Sequence, residues 1–103
     1  MNEDKQLSES IALAEQLFGF KQFRRIDDLN VRLGKYWLGL GIQLQAVEWR
    51  LWEVGHDPDA SPELGVLLSE SHDLDDTMAM LVGMYAGDVY ELAAEDLTAS
   101  SSY

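Results

Sequence analysis

The sequence predicts an all-α fold: a compact antiparallel bundle of three to four helices built around one long helix at about residues 28–54. Three observations lead there. Apolar residues recur at steps of three and four along most of the chain, β-branched residues are sparse, and the connections rich in turn-forming residues are short. A chain of 103 residues forms one hydrophobic core rather than two. With 47% hydrophobic and 25% charged residues it has enough apolar side chain to offset the entropy of ordering, so only the ends, about 1–5 and 98–103, are expected to be disordered.

The first helix rests on Leu7, Ile11, Ala14 and Phe18, which form one amphipathic stripe, with Ser8 or Ser10 to cap its first turn and Gly19 to end it. The connector "FGFKQFRR" carries Phe18, Phe20 and Phe23, whose rings suit the end of a core. Asp27 and Asp28 then place negative charge where the next helix begins.

That long helix has its stripe at Leu29, Leu33, Tyr36, Leu40, Leu44, Val47, Leu51 and Val54, and it would run roughly 40 Å. A second stripe passes through Leu38, Ile42, Gln45, Trp49 and Trp52, as expected of a helix central in a bundle or offering one face to another chain. Gly34, Gly39 and Gly41 each cost up to about 1 kcal/mol in a helix interior and mark where it would kink or cross a neighbour closely. Only "LGLGI" alternates, and it fits the helix too.

Gly55 stops this helix and "HDPDASPE" is a loop. Ser61, Pro62 and Glu63 open a short helix that turns Leu64, Leu67 and Leu68 inward and ends near Ser71. Asp73 or Asp75 opens the last helix, with a core stripe at Leu74, Met78, Leu81, Tyr85, Val89 and Leu92. Ala79, Gly83 and Gly87 form a small-residue face on it, read as close packing against the long helix, or as a self-association seam rimmed by Met78, Met80 and Met84.

Enzymatic chemistry finds little footing. The chain has no cysteine, which removes thiolate chemistry and cysteine zinc sites. His56 and His72 are each followed by Asp, and Asp57, Asp59 and Ser61 open like a calcium loop. Pro62, however, stands where that loop needs glycine, and no Glu follows at its twelfth position. Glu70 with Asp73, or Glu91 with Glu95, has the spacing of the magnesium ligands in all-helical nucleotide pyrophosphohydrolases. Those enzymes also need basic groups for phosphate, and residues 55–103 contain no Lys or Arg. The expectation is a non-enzyme with no catalytic residue, no metal and no cofactor. The start "MNEDKQLSES" lacks a basic leader, and "YWLGLGIQL" is far shorter than a membrane span, so a cytoplasmic protein with no membrane partner is expected.

Charge is the most informative feature. The net value is −12, distributed as −3 over residues 1–20, +2 over residues 21–54 and −11 over residues 55–103. The basic cluster "KQFRR" with Arg32 and Lys35 reads as pairing with the protein's own carboxylates or those of a second copy, since direct nucleic-acid binding is opposed by the net charge. Asp88, Glu91 and Glu95 share one helical stripe although neighbouring like charges are mildly destabilising, and Glu95 and Asp96 lie toward a helix C-terminus, where the macrodipole disfavours them.

A rigid body carrying such carboxylates can imitate a phosphate backbone and occupy the groove where a basic protein holds DNA or RNA. Virus-encoded inhibitors of restriction or CRISPR machinery, and immunity proteins or antitoxins against basic nucleases, share this physical type. The residues expected to meet such a partner are Asp73, Asp75, Asp76, Asp88, Glu91, Glu95 and Asp96, with Trp49 and Trp52 as aromatic anchors. The alternative is a helical assembly subunit or chaperone that joins copies, as in a homodimer, through its Trp and small-residue faces.

Overall fold

The computed structural model describes residues 2–19, 21–43 and 46–100, and the side chains of all of these except 42–47 and 91–100. Its architecture is α+β. Helix α1 (Glu3–Phe18) is followed by strands β1 (Arg24–Asp27), β2 (Asn30–Leu33), β3 (Tyr36–Gln43), β4 (Ala46–Glu53) and β5 (Val66–Ser71), and then by helix α2 (Leu74–Ser100). The strands form one antiparallel sheet in sequence order, and both helices pack on one face of it. The all-α bundle and its long helix at 28–54 are therefore corrected: that stretch is β2, β3, β4 and their turns.

The reason is a coincidence of periods. Leu33 pairs with Tyr36 across the two-residue turn Gly34–Lys35, so residues three apart lie on the same sheet face. Steps of four, such as Tyr36 to Leu40, keep a residue on one face of a strand as they do in a helix. A chain of short strands and tight turns thus reproduces the three-four rhythm. Part of the apparent second stripe belongs to the same face: Leu38 lies between Tyr36 and Leu40, pairs with Val31 and Leu51, and is fully buried, and Trp49 is buried beside Leu51, whereas Trp52 lies on the opposite face. Leu44 and Gln45 of the two expected stripes lie outside the described residues.

The core lies between sheet and helices. Val31, Leu33, Tyr36, Leu38, Trp49 and Leu51 from the sheet meet Leu7, Ile11 and Ala14 of α1 and Leu74, Met78, Leu81 and Val82 of α2. The α1 stripe holds except at Phe18, which is half-exposed, while Phe23 packs against the core and Phe20 is outside the described residues. Ser8 and Ser10 lie inside α1, not at its cap, because the helix begins at Glu3; Gly19 ends it in the left-handed region at φ 73°. The short helix expected after Ser61 is one 3-10 turn, Pro62–Leu64, with Leu64 89% exposed, and its remainder is β5.

Basic side chains mostly brace loops. Arg25 donates to the Asp4, Asp27 and Asp28 carbonyls and to the Ser8 hydroxyl, tying β1 to α1. Arg32, 4% exposed on the sheet face away from the helices, donates to the carbonyls of Asp57, Gly55 and Gly34 and so holds the β4–β5 connection. Burial there lowers its pKa, with Arg24 adding to the effect. The expected pairing with carboxylates holds for Lys35, with Glu53 at 3.3 Å and Asp88 at 3.8 Å, while Arg24, Arg25 and Arg32 donate to carbonyls instead; Arg50, outside that expectation, pairs with Glu70 at 3.9 Å.

Gly34 takes φ +59°, and a Cβ there would come within 2.9 Å of the Tyr85 ring of α2. Glycine at this turn lets α2 lie directly on the β2–β3 hairpin. Gly83 and Gly87 are the opposite case: both are exposed and a Cβ on either would meet nothing within 4 Å. The small-residue face of α2 therefore turns to solvent, and the close-packing reading is overturned. Among the described residues no helix is long and apolar enough to cross a membrane.

Candidate functional site

One end of the helix-covered face opens into a cleft of about 560 Å³. Trp49 of β4, 2% exposed, forms its floor. Gln6, Glu9, Ser10 and Leu13 line one wall from α1, at the three-four spacing of a single helix face. His72, Asp73, Leu74 and Asp75 supply the other wall from the β5–α2 junction.

The local chemistry of that junction fixes its shape. The Asp73 N–H donates to the Ser71 hydroxyl at 3.0 Å, and the Asp73 carboxylate accepts from the Asp75 N–H at 2.9 Å, the contact of a helix N-cap. The Asp73 carbonyl accepts from the N–H and hydroxyl of buried Thr77, both at 3.3 Å. Asp75 and Asp76 then occupy the first turn of α2, where the helix dipole favours negative charge. His72 Nε2 lies 3.8 Å from Glu48 Oε1 beside the cleft.

Three carboxylates, Glu9, Asp73 and Asp75, thus face a cleft whose lining contains no Lys or Arg. Glu9 has no capping role, since it sits inside α1. Ser10 lines the cleft while more than nine-tenths buried, and its hydroxyl makes no hydrogen bond among those described. Such a lining offers acceptors, an aromatic surface and a polar hydroxyl to a cation of side-chain size. Among the described residues no three His, Asp or Glu are grouped to hold a metal ion.

The residues singled out from sequence separate in space. Trp49, Asp73 and Asp75 come together in the cleft, and Asp76 is exposed just outside it. Trp52 does not join Trp49: three residues apart on one strand, they point to opposite faces, and Trp52 pairs with Trp37 on the face away from the helices. Asp88 is committed elsewhere, accepting from the Tyr36 hydroxyl at 2.7 Å and pairing with Lys35. The side chains of Glu91, Glu95 and Asp96 lie outside the described residues. Sequence reasoning missed Gln6, Glu9 and Ser10 as site residues. Their only signal was a polar edge beside the α1 stripe, which does not say what faces it.

No protein-family model matches this chain, and no curated protein or solved structure matches it significantly.

Proposed function

We propose that this protein is a non-enzymatic, cytoplasmic protein-binding module whose cleft beside Trp49 receives a lysine or arginine side chain of a basic partner. The observation that carries this reading is the convergence of Glu9, Asp73 and Asp75 on an aromatic-floored cleft with no Lys or Arg in its lining. A net charge of −12 adds long-range attraction for a basic surface. Proteins that handle DNA or RNA present such surfaces, and a module seated there inhibits by excluding the nucleic acid. The working region is thereby moved from the whole acidic second half to the junction of α1 with the start of α2.

The test is affinity capture from nuclease-treated lysate with the parent and with Glu9→Lys/Asp75→Lys. The parent is expected to recover basic nucleic-acid-binding proteins that are lost at higher salt, and the charge-reversed form to lose them at low salt. Recovery of the same proteins by both forms refutes the reading.

A second reading, an assembly subunit joining copies, draws on the solvent-facing Ala79, Gly83 and Gly87 of α2. It predicts concentration-dependent sedimentation that substitutions on that face abolish. The Trp half of that interface is weakened, because Trp49 and Trp52 point to opposite faces of the sheet and cannot form one surface.

A further inference from the structure

We infer that β5 is a docking edge whose occupant is an extended, basic segment of a partner protein, added to the sheet as a sixth strand. The inference rests on the cleft reading above, and the contrast between the two sheet edges motivates it. Strand β1 is short and irregular: it has four residues, its register shifts between Arg25 and Asp27, and Arg24 and Arg25 are bound to neighbouring loops and to α1. Those are the usual defences of an edge. Strand β5 has six residues, "VLLSES", without Lys, Arg or Pro and with Glu70 as its one charge. Among the described residues no backbone hydrogen bond outside the β4–β5 ladder involves residues 66–71.

Apolar surface accompanies these open backbone groups. Leu64 is 89% exposed, Val66 62% and Leu67 38%. The register with β4 slips by one residue at Leu68, but Leu68 packs against the core, so the bulge puts no charge on the edge. An added strand would satisfy the outer ladder and cover Val66 and Leu67.

Charge selects the occupant. Glu63 precedes β5, Glu70 lies on it, and Asp73 and Asp75 follow its end. A second copy would bring the same carboxylates to the pairing, so like charge would face like along the seam. A basic segment meets the opposite sign at each of these positions. The strand also runs directly into the cleft wall, since Ser71 is followed by His72 and Asp73. A lysine or arginine just beyond the paired stretch enters the cleft, so backbone pairing and side-chain capture act on one ligand.

The probe is a ten-residue peptide of alternating Arg and Val, titrated into ¹⁵N-labelled protein. A second peptide of the same sequence carries N-methyl groups on two adjacent central residues, which interrupts pairing on both of its edges. The first peptide is expected to shift and protect amides of residues 66–71, and the methylated one to bind about tenfold more weakly or worse. Leu67→Lys, which sets a lysine on the edge, is expected to weaken the first peptide similarly at unchanged melting temperature. Equal binding of both peptides would overturn the pairing and leave the cleft reading standing. Binding by neither would overturn both. A concentration-dependent dimer abolished by Leu67→Lys would make a second copy the occupant and overturn the partner segment.

Discussion

Asp88 and Glu9 show how little a carboxylate's position on a helix says about its work. Asp88 accepts a hydrogen bond from the hydroxyl of Tyr36, a residue 2% exposed, and pairs with Lys35, joining α2 to the β2–β3 hairpin. Asp88→Ala leaves the Tyr36 hydroxyl without this partner and is expected to cost about 1–3 kcal/mol in urea denaturation, whereas Tyr36→Phe, which removes the donor as well, costs less. Were Asp88 a free contact residue, its loss would leave stability unchanged. Asp27 gives a pH signature. The Asn30 side-chain amide, followed by the Leu29 N–H, holds its carboxyl below the usual range. A depressed folded-state pKa contributes stability above the unfolded value, about 3.9, and that stability is lost as pH falls through the folded value. The urea midpoint of the parent is therefore expected to drop on acidification below about pH 4, and Asp27→Asn to flatten part of that drop. None of these pairings was legible in the sequence, because each joins residues through a turn or a tertiary contact that spacing alone does not reveal.

Among the elements, α1 and α2 were legible and the sheet was not. Leu7, Ile11 and Ala14, like Leu74, Met78 and Leu81, follow the helical period and are buried as it requires, whereas Phe18 and Val89 at the far ends of the two stripes are half-exposed and the Leu92 side chain lies outside the described residues. The middle of the chain carried the contrary signal in "LGLGI", whose glycines fall at alternate positions of β3. There a Cβ on Gly41 would meet the Arg50 guanidinium at 2.8 Å, and one on Gly39 would collide with the Asn30 side chain. Those glycines make room for side chains from β2 and β4, which a helix reading could register only as a penalty. The glycines of α2 have no such neighbours. Gly83→Ala and Gly87→Ala are each expected to raise stability by about 0.5–1 kcal/mol in thermal or urea unfolding, through helix propensity alone. Destabilisation by either would mean that this face is packed against something after all.

For the molecule as a whole, the polarised charge seen in the sequence is redistributed by the fold. The basic middle forms the first four strands of the sheet, where Arg32 donates to loop carbonyls, Lys35 pairs with Glu53 and Asp88, and Arg50 pairs with Glu70. The described carboxylates of the acidic half are separated by the fold: Asp88 is tied inward, Asp73 caps α2, and Asp75 lines the cleft with Glu9 of α1. Composition could announce an excess of negative charge, but only the topology, which returns α2 beside α1, could place part of it around Trp49. Capture of a basic side chain beside Trp49 is tested by following the Trp49 indole resonance during titration with hexa-arginine, in the parent and in Glu9→Lys/Asp75→Lys. A cation held in the cleft produces a saturable shift of the Trp49 signal in the parent, weakened by salt and absent from the charge-reversed form. A diffuse response along the exposed carboxylates with Trp49 unmoved, or an equal shift in both proteins, would contradict it.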